Sequence, residues 1–206
     1  MDPQRLREAL IAHFDQKITP QVAAAIFGWS TECADKAVDL GGIELMHHNG
    51  YVFHVERLAN VLDELHPMHQ AHYAETELHR AGLTMDPDYD AMLLDEQFGR
   101  LLQFTCRKDG ELVGQVRMYV GRSRHTKTLM ADEDTLYLKP EHRGGFTAVQ
   151  FLRYVEAVLI HLGVREINAN SKLVNKADAL MRRLGYQPVA TQFTKIIPPE
   201  QTHVQE

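Results

Sequence analysis

The sequence predicts an α+β fold: a mixed, mainly antiparallel twisted sheet flanked by helices, preceded by a small helical module that ends in a hairpin. Three observations point to it. From residue 51 onward, runs with apolar residues three and four apart alternate with runs whose apolar residues recur every second position. Their order is strand, helix, helix, three strands, helix, strand, helix, strand. The turns His48-Asn49-Gly50 and Lys108-Asp109-Gly110 each join two strand-like runs, the mark of antiparallel hairpins. One long helical run lies between two strands, and such a crossover leaves a parallel pair.

The elements follow in order. Residues 3–14 read as a helix, with Pro3 in its first turn and Leu6, Leu10 and Ile11 on one face. Thr19-Pro20 is a cap followed by a first-turn proline. It opens a short helix through Val22, Ala25 and Ile26 that Gly28 closes. Ser30 caps a third helix, with Cys33, Ala34, Ala37 and Val38 inward and Gly41-Gly42 at its end. Ile43 to Met46 and Tyr51 to Val55 form a hairpin across Asn49-Gly50. Residues 1–50 thus make a first module, either winged-helix-like or a helical extension packed on the main domain. Residues 51–198 make that domain, and 199–206 a polar tail.

Within the main domain, Leu58, Val61, Leu62 and Leu65 mark a helix. Pro67 breaks or restarts it, and a second helical stretch runs to Gly82. Residues 83–99 are loop-like around a helical turn at 90–97. Strands run from Leu101 to Cys106, Leu112 to Val120 and Leu129 to Leu138. The amphipathic helix that follows places Ala148, Phe151, Leu152, Val155, Leu159 and Leu162 on one face and ends at Gly163. A strand (Val164 to Ala169), a helix (Val174 to Leu184) and a last strand (Val189 to Ile197) complete the domain, which Pro198-Pro199 closes.

Composition narrows the function classes. With 44% hydrophobic and 24% charged residues, the chain has the balance of a soluble globular protein. No apolar run approaches the roughly 20 residues of a membrane span. Charges scattered through MDPQRLREAL disfavour a secretory route. The net charge of −6, and few Lys or Arg in residues 1–50, disfavour a nucleic-acid partner. Two cysteines, Cys33 and Cys106, fit a reducing compartment, and the chain is expected in the cytoplasm.

The strongest local signal is the passage from Asp134 to Ala148. A strand ends, Gly144-Gly145 permit close backbone approach, and a helix begins. The unpaired amides of such a helix start, with its dipole and the donors of Arg143, suit a phosphate or pyrophosphate. A plain tight turn would use the same glycines. The passage lacks the Gly-Lys-Ser/Thr ending of a P-loop and the Gly-x-Gly-x-x-Gly dinucleotide spacing.

Arg143-Gly-Gly-Phe-Thr-Ala148 resembles the Arg/Gln-x-x-Gly-x-Gly/Ala loop of the GNAT superfamily of N-acetyltransferases. Leu136-Tyr-Leu-Lys-Pro-Glu-His-Arg-Gly-Gly is similar to the family's strand leading into that loop. Asn175-Lys-Ala-Asp-Ala-Leu-Met-Arg-Arg-Leu-Gly-Tyr186 is similar to its Asn-x-x-Ala helix and Leu-Gly-Phe end. The matching order spans about residues 51–197, and the nearest likeness is to GNAT-like proteins of tailed bacteriophages.

The resemblance implies acetyl-CoA as co-substrate, with the pyrophosphate on Arg143, Gly144, Gly145, Phe146, Thr147 and Ala148. It implies a pantetheine arm paired like an added strand with Tyr137, Leu138 and Lys139. The arm would lie in a notch beside Ile167 to Asn170, with Asn175 beyond it. A backbone N–H near Leu136 to Leu138 would polarise the acetyl carbonyl. Two positions depart from the family: Phe146 stands where the loop carries glycine, and Met181 where many members carry a tyrosine acid. A thioether cannot protonate a leaving thiolate, so Tyr119 is the substitute its position offers.

Amine acetylation needs a base. Asp134 is the first choice and Glu133 the reserve, since neighbouring strand residues face opposite ways and one of them meets the acceptor. Two surface acids on a solvated or bulged strand are the plain alternative, and His125 is another base. His66, His69, His72 and His79 cluster with Glu75 and Glu77, but their spacing drifts around a helix and HExxH is absent, so no metal is expected. Under the resemblance, His72, Glu75 and Tyr89 border the acceptor pocket. Asp86, Asp88, Asp90 and Asp95 favour a cationic acceptor, or form a solvated loop.

The expected activity is acetyl transfer to the primary amine of a small molecule or peptide by direct attack in a ternary complex. Two rivals stand beside it. One is an inactive GNAT-shaped binding or virion-associated structural protein, and the other a regulator whose first module binds a nucleic acid or protein. A homo-oligomer is left open.

Overall fold

A computed structural model describes residues 3–14, 17, 19, 22, 38–80, 82–172 and 177–197. Helix α1 (Pro3–Ala12) opens the chain, with Leu10 and Ile11 exposed. The helices expected over 20–28 and 30–41 fall almost wholly outside the described residues. The Val22 N–H donates to Thr19 Oγ1 at 3.2 Å, the contact of a helix cap.

Six strands form one sheet in chain order: β1 (Met46–His48), β2 (Tyr51–Glu56), β3 (Leu101–Lys108), β4 (Glu111–Arg122), β5 (Leu129–Leu138) and β6 (Glu166–Asn168). The first five are antiparallel neighbours, and β6 runs parallel to β5. Asn49 (φ 50°) and Gly50 (φ 78°) make the β1–β2 turn, and Asp109 and Gly110 repeat that left-handed pair between β3 and β4.

Helices cover both faces. On one face, α2 (Leu58–Thr76) and α3 (Tyr89–Gln97) pack Leu58, Val61, Leu65 and Met68 against Leu101, Leu112 and Tyr137. On the other, α4 (Thr147–His161) and α5 (Ala177–Arg183) bury Phe151, Val155, Leu159 and Met181 with Phe53, Phe104 and Val116. Phe53 and Phe151 stack there at 5.2 Å between centroids. α4 carries the stripe its periodicity predicts, crossing from β5 to β6.

Two elements differ from the sequence expectation. Pro67 sits inside one continuous 19-residue helix. It faces solvent, as does Asp63 one turn earlier, whose carbonyl loses the proline's missing N–H. Val61, Leu65, Met68 and His69 are buried on either side and hold the helix through. The last strand is also missing: residues 187–197 carry no strand, with Val189 87% and Phe193 91% exposed. Alternation alone does not make a strand, which needs a ladder partner; β6 pairs over three residues only. Among the described residues no helix is long and apolar enough to cross a membrane.

Candidate active site

The sheet opens between β5 and β6. Their ladder covers Met130–Asp132 against Glu166–Asn168 and stops there. Lys139 N–H donates to Val113 O at 2.8 Å, which fixes the alternation along the end of β5. Residues 135, 137 and 139 turn their backbone groups to β4, so Leu136 and Leu138 turn theirs into the gap. Arg143 Nε donates to Leu138 O at 2.7 Å, which marks that direction.

A β-bulge lies at the point of divergence. Arg117 pairs with Thr135 and Met118 with Glu133, which leaves Asp134 as the extra residue of β5. The two neighbouring acids therefore meet different surroundings. Glu133 shares the α4 face with Ala131 and Met118 and is 8% exposed. Its Oε2 accepts the Asn170 N–H at 2.9 Å, and Asn170 Nδ2 donates to Glu133 O at 3.2 Å. Burial pushes the Glu133 carboxyl up to about 7, against the hydrogen bond that lowers it. Asp134 looks the other way, with its side chain 38% exposed. Its Oδ2 accepts from Arg117 Nη1 at 3.3 Å and Thr135 Oγ1 at 3.0 Å.

Arg117 anchors a buried polar cluster beneath α2. Its Nε donates to Gln103 Oε1 at 3.3 Å and its Nη2 to His69 Nε2 at 2.6 Å. His69 Nδ1 lies 2.9 Å from Tyr89 Oη, and the two rings stack at 5.7 Å. Burial first, and Arg117 second, push His69 down to about 4. Sequence reasoning passed over Gln103, Gln115 and Arg117. Their signal was there: polar residues at alternate positions, 103 and 105, then 115 and 117, in otherwise apolar strands. Tyr119, two residues beyond Arg117 on β4, packs at the edge of the α2–α3 core. Burial, then Asp134, raises its pKa and keeps the phenol protonated.

The glycine loop ends the gap. A 3₁₀ turn (Pro140–His142) leads to Arg143, Gly144 and Gly145, and Gly145 takes a φ of 67° that side chains resist. α4 starts without a side-chain cap. Its first turn closes with Gln150 N–H on Phe146 O at 2.9 Å, so the amides of Thr147, Ala148 and Val149 have no intrahelical acceptor. Phe146 is 54% exposed, and the Arg183 guanidinium lies 4.7 Å over its ring.

Arg143 does not aim its fork at these amides. Its Nη1 and Nη2 donate to the two carboxylate oxygens of Glu75 at 2.7 and 2.6 Å, and it lies 5.2 Å over the Tyr137 ring. Glu77, capping α2, accepts from Lys172 Nζ at 2.7 Å. The end of α2 is thus tied to both sides of the gap. His72 meets the Tyr137 ring edge-on at 5.6 Å, and its Nε2 lies 3.2 Å from Thr76 Oγ1. Lys139 pairs with Glu111.

The residues singled out in the sequence therefore gather around one gap. Leu138 and Asn170 stand on its two edges and Arg143 to Ala148 at its end, whereas Tyr137 and Lys139, expected to pair with the pantetheine arm, turn their backbone groups to β4. Glu133, Asp134 and Tyr119 sit at its apex or on the adjoining strand, and His72, Glu75 and Tyr89 lie on the α2–α3 side. Asn175 lies outside the described residues. Met181 is buried in the core between α5 and the sheet. His66 and His69 both meet the Tyr89 hydroxyl while His72 meets Thr76, and no metal-holding group of three or more His, Cys, Asp or Glu occurs among the described residues.

A bulged strand parting from its parallel neighbour above a glycine loop and a helix start is the frame of an acetyltransferase of the GNAT type. The chain belongs to that family: the model of the acetyltransferase (GNAT) family matches residues 59–186, more than half of its length. No curated protein matches the sequence. Among solved structures it is similar to a ribosomal-protein-alanine N-acetyltransferase from Brucella melitensis biovar Abortus 2308, at 18% identity and TM-score 0.60, covering 74% of this chain and 99% of that one. It is also similar to an aminoglycoside acetyltransferase from an uncultured soil metagenomic sample, in complex with sisomicin, at 11% identity and TM-score 0.58, covering 73% and 98%. A predicted acetyltransferase from Clostridium acetobutylicum, with acetyl-CoA, matches at 12% identity and TM-score 0.54, covering 74% and 99%. At these identities the likeness is one of fold.

Proposed function

We propose that this chain transfers an acetyl group from acetyl-CoA to the primary amine of a small molecule or peptide, by direct attack in a ternary complex. The observation that carries this reading is the gap itself: β5 and β6 part after Asp132 and Asn168, the Leu138 carbonyl turns into the opening, and Glu133 is held at its apex by the Asn170 amide, where burial raises its carboxyl to about 7. A base poised near neutrality takes a proton from an ammonium far more readily than an ordinary carboxylate does.

The backbone edge of Leu136 and Leu138 supports strand-like pairing with the pantetheine arm. The amides of Thr147 to Val149 suit its pyrophosphate. Glu133, on the α4 side of the sheet, accepts the ammonium proton through water in the gap. The freed amine nitrogen bonds to the thioester carbonyl carbon, a β5 backbone N–H holds the carbonyl oxygen, and the carbon–sulfur bond breaks. Tyr119 supplies a proton to the leaving sulfur, and the second proton that the attacking nitrogen sheds as the amide forms passes through water to restore the Tyr119 hydroxyl. Asp134, open to the α2–α3 side, attracts the cationic acceptor.

Glu133→Gln tests this. It keeps the shape of the side chain and removes the base. We expect kcat to fall about 100-fold, with acetyl-CoA affinity measured by calorimetry within about twofold of wild type. A variant that turns over normally refutes Glu133 as base, and wild-type protein that binds no acetyl-CoA refutes the activity.

A further inference from the structure

The polar cluster beneath α2 fixes the position of one proton. A guanidinium has donors and no acceptor. Arg117 Nη2 lies 2.6 Å from His69 Nε2, so Nε2 presents its lone pair. A neutral imidazole whose Nε2 accepts carries its proton on Nδ1. Arg117, Tyr89, Asp134 and His72 are the charged or titratable groups around this ring, and burial with Arg117 keeps it neutral.

Nδ1 therefore donates to Tyr89 Oη, 2.9 Å away. Gln115 fits this assignment with its amide turned over, at the loss of the long 3.5 Å contact that Gln103 Nε2 makes to its oxygen. Its Oε1 lies 3.1 Å from His69 Nε2 while its own Nε2 is buried without a partner. Turning that amide over makes it a second donor to the same lone pair. With the Tyr89 oxygen serving as acceptor for His69, its O–H is free to donate outward. The acceptor described for it is His66 Nδ1, on the exposed side at a long 3.4 Å. Arg117 meanwhile places Asp134 on its other terminal nitrogen, at 3.3 Å. One guanidinium thus connects a half-exposed carboxylate, suited to an ammonium, with an aimed hydroxyl, suited to an oxygen.

We propose that His69 is a positioning residue that aims the Tyr89 hydroxyl proton into the acceptor cleft, and that the acceptor is an amine carrying a hydrogen-bond-accepting oxygen a few bonds away. The second clause rests on the acetyltransferase reading; the first does not.

Long-range proton–nitrogen NMR of nitrogen-15-labelled protein at neutral pH reads the His69 tautomer directly. The expected spectrum has a protonated Nδ1 and a bare Nε2. A proton on Nε2, or on both nitrogens, overturns the aiming role. Tyr89→Phe is expected to bring the Nδ1 proton into fast exchange with water, and an unchanged exchange rate overturns it too.

The acceptor class is tested with acetyl-CoA and two probes of similar size, glycinamide and propylamine. With rates referred to the unprotonated amine, since glycinamide is the weaker base, wild type is expected to favour glycinamide about tenfold in kcat/KM, the worth of one hydrogen bond. Tyr89→Phe and His69→Phe are expected to bring the glycinamide-to-propylamine ratio of kcat/KM close to one, whatever the absolute rates, and a ratio kept at the wild-type value overturns the class. Equal rates in wild type, or acetylation of neither probe by protein that binds acetyl-CoA, overturn the acceptor class. If wild type binds no acetyl-CoA, that class falls with the activity, and the nitrogen spectrum alone decides His69.

Discussion

Glu133 Oε2 accepts the backbone N–H of Asn170 at 2.9 Å, across a gap where β5 and β6 have ceased to pair. Two side-chain contacts, this one and Asn170 Nδ2 on Glu133 O at 3.2 Å, thus replace the ladder and hold a carboxyl at the point where the strands part. The predictions below begin from this contact.

The first concerns stability against pH. Glu133 is raised from 4.5 to about 7, so between those values the folded state holds a proton that the unfolded state has lost. Its contribution to stability falls as pH rises through that window, by about 3 kcal/mol in all. His69 is lowered from 6.5 to about 4, so there the unfolded state holds the extra proton and stability rises with pH. The two slopes oppose each other where the windows overlap. Denaturant titrations of Glu133→Gln minus wild type should show a difference that grows with pH between 4.5 and 7. His69→Gln minus wild type should show one that shrinks between 4 and 6.5. Flat difference curves would mean that neither group carries its shift.

The second concerns the proton returned to sulfur. Tyr119→Phe keeps the ring in the α2–α3 core and removes its hydroxyl. We expect kcat to fall about tenfold or more, with acetyl-CoA affinity unchanged. Unchanged kcat would assign the proton to water.

The third concerns the loop. Phe146 is more than half exposed and supports no core contact, so Phe146→Gly should leave the melting temperature nearly unaltered. Removing the ring opens the backbone approach beside Thr147 and Ala148. Calorimetry should show acetyl-CoA binding several-fold more tightly, on the order of 1 kcal/mol. Weaker binding would show that the ring, with Arg183 over it, is itself a contact.

The fourth concerns Pro67. Alanine at this solvent-facing position restores a helical N–H to the Asp63 carbonyl and removes the ring clash. The gain should be between about 1 and 3 kcal/mol, read as a rise in melting temperature of several degrees.

Local pattern explains how much of this was legible beforehand. β5 spans Leu129–Leu138, the range its alternation indicates, and α4 buries the stripe its spacing defines. Those signals depend on each segment alone. Pro67 misled because a breaker's effect depends on what is buried around it. Val189 to Ile197 misled because alternation says nothing of a neighbouring strand. At the site, the loop and the acid pair were visible as motifs. The sequence did not reveal that Arg143 binds Glu75, 68 residues away, or that Arg117 joins Asp134 to His69, 48 residues from it. Such partners meet only through the sheet. A bulge at the acid pair is among the readings the sequence allows, but not its register, and the register decides which acid is buried.

The last turn of α2 carries a further consequence. Glu75 grips Arg143 at the end of β5, and Glu77 grips Lys172 just past β6. Two ion pairs moor the helix end to both banks, beside the ring contact of His72 with Tyr137, so its hold on the gap should depend in part on the ionic strength of its surroundings. Salt at about 1 M shortens electrostatic reach to roughly 3 Å, against about 10 Å at 0.1 M, and loosens exposed moorings first. The Arg143–Glu75 tie is the more exposed of the two and should weaken before Lys172–Glu77 as salt rises.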